Sequence, residues 1–169
     1  SAAGGVAATA CPKDGVVKSI DVFVQSDSEI LSLQTDESYG IKVVKLENTT
    51  YAIKITAANC FGVLHAFETL TQVVQYDLAT GVTFISSLTV VDSPRFSFRA
   101  VMVDNSRSFL TLSALEQLVD MMAALKLNVL HMHLIDSQSW PLQIRSYPLL
   151  SERGAFSNYS HVYAQDDMR

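Results

Sequence analysis

The stretch from Ala100 to Asp136 constrains the fold more than any other part of the chain. Two short apolar runs, "AVMV" and "VLHMHLI", flank a segment with helical periodicity, "ALEQLVDMMAALK". Neither run alternates polar with apolar, which is the pattern of a strand buried on both faces. Leu115, Leu118, Val119, Met122 and Leu125 recur at spacings of three and four and predict one apolar helix stripe. Ser113 followed by Glu116 has the spacing of a capping box at its start, and Asn128 marks its end. Strand, helix and strand in this order predict a parallel, right-handed βαβ unit. One such unit can neither close a sheet nor cover its faces. Residues 137–169 supply loop and one further helix rather than strands, so the expectation is an incomplete fold, finished by more polypeptide or by a second chain.

Upstream the pattern changes to period two. "SIDVFV" puts Ile20, Val22 and Val24 on one face, and "YAIKIT" puts Tyr51, Ile53 and Ile55 opposite Ala52, Lys54 and Thr56. This predicts antiparallel strands with one solvated face, with "ENTT" as a hairpin turn. Asn59 is placed to cap a helix over 60–75 carrying Phe61, Leu64, Phe67, Leu70 and Val74. Strand-like "VTFI" and "SLTVV" follow, and "DSPRFSFR" reads as a boundary because Pro94 forces an extended predecessor. The expected organisation is a small α+β domain over 1–93, with 1–15 as a flexible leader, and the βαβ region over 94–169.

Composition excludes several functions. With 49% hydrophobic and 17% charged residues the chain has material for a packed core. A net charge of −5 without any Lys/Arg run argues against nucleic acid as a partner. No apolar run reaches the roughly 18–20 residues of a membrane span. The opening "SAAGGVAATA" lacks the basic start and apolar core of an intact signal peptide and reads as a trimmed terminus. Cys11 and Cys60 can pair as one disulfide. Asn48-Thr49-Thr50 and Asn158-Tyr159-Ser160 are glycosylation sequons that a secretory route would expose to modification.

In parallel α/β architectures the chemistry sits at the carboxyl ends of strands. Arg107 and Asp136 fall there, one after each apolar run, on strands about 4.8 Å apart. A rigid fork of donors beside a pair of acceptors suits the vicinal hydroxyls of a sugar, and it equally suits a rim salt bridge. His131 and His133 share one strand face; they are hydrogen-bonded support inside a barrel or its rim, or two ligands of a zinc site that needs a third. Asp166 and Asp167 read as a helix N-terminal charge pair.

The segment "PRFSFRAVMVDNSRSFLTLSALEQLVDMMAALKLNVLHMHLIDSQSWPLQIRSYPLLSERGAF" resembles the start of the catalytic domain of family 20 glycoside hydrolases, the β-N-acetylhexosaminidases. The pattern is carried by Pro94, Arg95, Phe96, Arg99, Asp104, Ser106 and Arg107, then by Lys126, Leu127, Asn128, His131, His133, Leu134, Asp136, Trp140 and Pro141. Upstream, Gly62, Glu68, Thr69 and Gln72 match the end of the family's small domain. The chain departs from the pattern at Ala100, Ser108 and Ser137, where the family has Gly, His and a second Asp.

The resemblance implies a small α+β domain followed by the first βαβ unit of a (β/α)8 barrel that this chain does not complete. It implies Arg107 as a ligand of the terminal sugar's hydroxyls and Asp136 as a support that acts through a histidine further along. The implied chemistry is substrate-assisted retention, in which the 2-acetamido carbonyl attacks the anomeric carbon while an Asp-Glu pair orients it and protonates the leaving oxygen. That pair lies outside this chain, so no catalytic residue is expected within it, and no cofactor or metal. Implied partners are the remainder of the barrel, glycans ending in N-acetylglucosamine or N-acetylgalactosamine, and a second copy in a homodimer. A lysosomal, vacuolar or secreted setting fits the sequons. A non-catalytic carbohydrate-binding or structural relative, and a zinc hydrolase using the His131/His133 pair, are the alternatives.

Overall fold

A computed structural model describes residues 15–168 and divides the chain into two compact units, one running to Ser97 and one beginning at Phe98. The first unit holds β1 (Val16–Val24), β2 (Tyr39–Lys45), β3 (Thr50–Ala57), α1 (Cys60–Val73), β4 (Val74–Asp77), β5 (Val82–Ile85) and β6 (Thr89–Asp92). Four strands form one sheet in the order β1-β3-β2-β6, and β4 and β5 form a separate antiparallel hairpin.

The β2–β3 hairpin turns at "ENTT" as expected. Asn48 takes φ 55°, a left-handed conformation that asparagine tolerates better than most residues. The turn closes with Thr50 N–H and Thr50 Oγ1 both donating to the Glu47 carbonyl, at 3.1 and 2.7 Å. The expectation of a purely antiparallel sheet is corrected at β1, which runs parallel to β3. Alternation reports which face is buried but not strand direction. A turn this short forces antiparallel pairing, whereas residues 25–38 are long enough to carry the chain past β3's place in the sheet.

One sheet face is the core. Tyr39, Ile41 and Val43 of β2 and Tyr51, Ile53, Ile55 and Ala57 of β3 pack with Ala66 and Leu70 of α1 and with Ile85 and Leu88. Burying each larger side chain there contributes about 1.5–3 kcal/mol. On β1, Ile20 and Val22 pair with Ile53 and Ile55 but lie on the sheet's edge, 47% and 40% exposed.

Asn59 caps α1 as expected: its Oδ1 accepts from the Phe61 and Gly62 N–H groups, and its amide donates to the Asp36 carbonyl at 2.6 Å. The buried stripe, however, is Gly62, Ala66 and Leu70, while Leu64 is 64% exposed. Small residues win that face because the helix start lies against residues 37 and 38; a Cβ on Gly62 would sit 2.6 Å from the Ser38 carbonyl oxygen. Thr69 Oγ1 bonds the Tyr39 hydroxyl at 2.6 Å, and that hydroxyl donates to Asp92 at 2.6 Å, joining α1, β2 and β6. His65 and the buried Glu37 carboxylate pair at 2.9 Å beside it.

The second unit holds β7 (Ala100–Asp104), α2 (Leu112–Ala124), β8 (Val129–His133) and α3 (Leu149–Gly154). Strands β7 and β8 are parallel, with Asp104 opposite His133. The cap of α2 is Thr111, whose Oγ1 accepts from the Ala114 N–H at 3.3 Å, two residues before the expected Ser113 of the Ser113/Glu116 box. The helix ends at Ala124, earlier than Asn128. Leu127 N–H donates to the Met122 carbonyl and Lys126 N–H to the Ala123 carbonyl, a Schellman ending with Lys126 at φ 58° in glycine's usual place.

Asn128 has another task. Its Oδ1 accepts from the Arg99 N–H at 3.0 Å, its own N–H donates to the Arg99 carbonyl, and Arg99 Nε donates to the Lys126 carbonyl at 2.6 Å. This clamp sets the register of β7 against β8. Burial on both strand faces is not met within this chain: Met102 is 57% exposed and His131 is exposed, while Val101, Val103, Leu130 and Met132 are half-buried. Two strands and one helix leave one face without cover.

Gly62→Ala should lower stability by about 1–3 kcal/mol, although alanine is the better helix former. Urea unfolding checks the sign, and an unchanged or higher midpoint would show that the helix start gives way freely.

Candidate functional site

The site grows from the parallel register. Because Asp104 ends β7 opposite the last residue of β8, the loops leaving both strands start side by side. Asp104 folds its own loop: Oδ1 accepts from the Arg107 N–H at 3.0 Å, and its carbonyl accepts from the Ser108 N–H. The Asn105 and Ser106 N–H groups both donate to the His133 carbonyl, at 3.0 and 3.2 Å.

Asn105 and Ser106 are fully buried and anchor this loop to the rest of the unit. Asn105 Nδ2 donates to the Tyr163 hydroxyl at 2.8 Å, which donates to the Leu110 carbonyl, and Phe109 stacks on the Tyr163 ring at 4.6 Å. Ser106 Oγ donates to the Ser139 carbonyl at 2.9 Å. Each bond is worth about 1 kcal/mol net, more if a buried partner is orphaned.

Held this way, Arg107 spans two carboxylates. Nη1 donates to Asp104 Oδ2 at 2.5 Å and Nη2 to Asp136 Oδ2. Asp136 Oδ2 also bonds His133 Nε2 at 3.0 Å, and Oδ1 accepts from the Ser137 N–H at 2.6 Å. Arg107 and Asp136 are thus brought together, as the rim salt bridge foreseen from the sequence. Two of the five guanidinium donors are engaged, leaving three with no partner among the described residues. The Arg107 side chain is half exposed.

The bonds move the local acidities. The Ser137 N–H, then the His133 ring and the Arg107 charge, hold the Asp136 carboxyl down to about 2. Asp104 is lowered, first by the Arg107 side chain and then by its backbone N–H, and Arg107 is raised, first by Asp104. Both carboxylates therefore remain charged across the physiological range.

The remaining sequence candidates separate. His131 is exposed, opposite Met102, while the His133 ring is committed to Asp136. Among the described residues no group of three or more His, Cys, Asp or Glu side chains is arranged to hold a metal ion. Trp140 packs over Gly154, with Leu149, Leu150 and Arg153 around a hollow of about 320 Å³ that Asp136 borders. Asn48 and Asn158 are exposed. Cys60 Sγ lies 3.7 Å from the Ser28 carbonyl, and Cys11 falls outside the described residues. Asp167 caps the final short turn by accepting from the Ala164 N–H, and Asp166 pairs with Arg145. No described helix is long and apolar enough to cross a membrane.

Sequence reading missed the role of Asp104 as Arg107's main anchor, the His133–Asp136 bond and the Arg99–Asn128 clamp. The first two had a signal in the short D-x-x-R and H-x-x-D spacings at strand ends; the clamp depends on a contact across 29 residues that no local pattern encodes.

Residues 96–169 match the model of the glycosyl hydrolase family 20 catalytic domain, and residues 7–73 match a domain described as beta-acetyl hexosaminidase like. Beta-hexosaminidase 3 of Arabidopsis thaliana is 36% identical over 154 residues, covering 90% of this chain and 28% of the relative. Beta-hexosaminidase subunit beta of Homo sapiens is 36% identical over 152 residues, covering 89% and 26%. Among solved structures, a Flavobacterium johnsoniae chitobiase superposes with a TM-score of 0.75 at 30% identity, covering 88% of this chain and 21% of that one. A Vibrio harveyi exo-β-N-acetylglucosaminidase in complex with N-acetylglucosamine gives 0.68 at 28%, covering 88% and 24%. The chain spans about a quarter of the length of the curated relatives it matches.

Because the folded-state carboxyl of Asp136 sits below its usual 3.8, its bonds stabilise the fold above about pH 4, and that stability is lost as pH falls through about 2. Thermal unfolding from pH 5 to pH 2 should therefore decline less steeply in Asp136→Asn than in the unsubstituted chain. Parallel pH profiles would contradict the assignment.

Proposed function

The chain belongs to glycosyl hydrolase family 20, and on that premise we propose that it is part of a β-N-acetylhexosaminidase that removes terminal N-acetylhexosamine residues from glycans. The observation that carries this reading is the Arg107 fork, seated between Asp104 and Asp136 at the carboxyl ends of two adjacent parallel strands. A guanidinium fixed by two carboxylates keeps its orientation before substrate arrives, so little side-chain entropy is lost on binding. Its three unengaged donors then suit hydroxyl oxygens of the terminal sugar.

In this reading β7, α2 and β8 begin a (β/α)8 barrel. The exposed row of Ala100, Met102 and His131 becomes interior once further strands complete it. Those strands, in the same or another polypeptide, supply the Asp-Glu pair of a substrate-assisted retaining mechanism. The 2-acetamido carbonyl oxygen forms a bond to the anomeric carbon as the glycosidic bond breaks and the acid protonates the leaving oxygen. Water then returns the anomeric configuration to that of the substrate. Asp136, with an acceptor position still open on Oδ1, supports that pair through a histidine contributed by the later strands.

The exposed sequons at Asn48 and Asn158 support a secretory route to a lysosomal, vacuolar or extracellular location. A Cys11–Cys60 disulfide and a homodimer belong to the same proposal; peptide mapping and light scattering test them.

The natural protein should hydrolyse a chromogenic N-acetyl-β-glucosaminide, and Arg107→Ala should lower kcat/KM by about 10- to 150-fold, the equivalent of about 1.5–3 kcal/mol for a charged hydrogen bond. Absence of hydrolysis by the unsubstituted protein would overturn the function. Unchanged kcat/KM in the variant would overturn the role of Arg107.

A further inference from the structure

We propose that His133 is a positioning residue for the site, holding the Asp136 carboxylate in one rotational state through its ring while its backbone holds the loop that carries Arg107. The inference rests on the hexosaminidase reading and names a residue that acts through two others.

An ionised carboxylate offers about four acceptor positions. On Asp136 three are filled: Oδ2 takes Arg107 Nη2 and His133 Nε2, and Oδ1 takes the Ser137 N–H. One remains, on Oδ1. Arg107 alone could not fix which oxygen it meets, because its side chain is half exposed and already directed by Asp104. The Ser137 N–H is one residue from Asp136 and moves with the same turn. The His133 ring differs, since it projects from the end of a paired strand whose backbone is set by the register with β7. It therefore supplies the fixed reference that keeps the open acceptor of Oδ1 in one place. Through its carbonyl, which accepts from both Asn105 and Ser106, the same residue also holds the Arg107 loop at the strand end.

The two roles separate by substitution. His133→Phe keeps the backbone bonds to Asn105 and Ser106 and removes only the ring donor, whereas His133→Gln restores an N–H at similar reach. In the natural protein, His133→Phe should lower kcat by roughly 10- to 100-fold with KM changed far less, because Arg107 keeps its bonds to Asp104. His133→Gln should recover most of the loss with an unfolding midpoint close to that of the unsubstituted protein, while His133→Phe should stay folded with a slightly lower midpoint at neutral pH, because it forgoes part of the Asp136 stabilisation. Carboxyl-resolved NMR titration gives a readout independent of activity: the Asp136 midpoint should rise in His133→Phe and stay near the unsubstituted value in His133→Gln. Unmoved titration in His133→Phe, or a kcat loss that glutamine does not rescue, overturns the positioning role. A shifted titration in a protein that hydrolyses no hexosaminide overturns the hexosaminidase reading and leaves the His133–Asp136 linkage standing.

Discussion

A guanidinium shared between two carboxylates on adjacent parallel strands is the interaction around which the second unit is arranged. Arg107 meets Asp104 within its own loop and reaches Asp136 because β7 and β8 end together, with Asp104 opposite His133. The register is set at the opposite strand ends, where Asn128 and Arg99 bond reciprocally and Arg99 fastens the Lys126 carbonyl. Site and clamp are thus two ends of one constraint, five residues of strand apart. Motif residues that a chemist would pass over, such as Asn128 and Lys126, help to fix where Arg107 and Asp136 arrive.

The departures from the family pattern are absorbed by backbone. Ser137 stands where the family has a second aspartate; its main contribution to Asp136 is an N–H that any residue except proline would supply, and its side chain adds a smaller lowering of that carboxyl. Ser108 stands in place of histidine, and its N–H closes the loop onto the Asp104 carbonyl. Ala100 replaces glycine at the exposed start of β7, in ordinary strand conformation. Of the three positions only Ser137 touches a bond of Arg107 or Asp136.

In the first unit the same logic appears as packing. The helix α1 comes down on residues 37 and 38 because Gly62 has no Cβ, and its start is pinned by Asn59, whose side chain bonds both the helix N–H groups and the Asp36 carbonyl. The larger apolar side chains Leu64 and Phe67 are left outside the buried stripe. Periodicity favours the largest apolar side chains, so it found Leu70 but missed Gly62 and Ala66, the small residues that the close approach of the helix start requires.

By itself the sequence determined the hairpin turn at Asn48, the Asn59 cap, the strand–helix–strand unit and the nearness of Arg107 to Asp136, but not β4, whose first residue Val74 reads as part of the preceding helix. Each is encoded locally, in side-chain period, in turn chemistry, or in the rule that consecutive parallel strands end on the same side. Only the tertiary structure decided that β1 runs parallel to β3, that Thr111 rather than Ser113 caps α2, and that Gly62, Ala66 and Leu70 form the buried stripe. It alone decided that the His133 ring belongs to Asp136. Strand direction, axial approach and the choice of hydrogen-bond partner are settled between segments far apart in the chain, where alternatives of similar local energy compete and packing selects one.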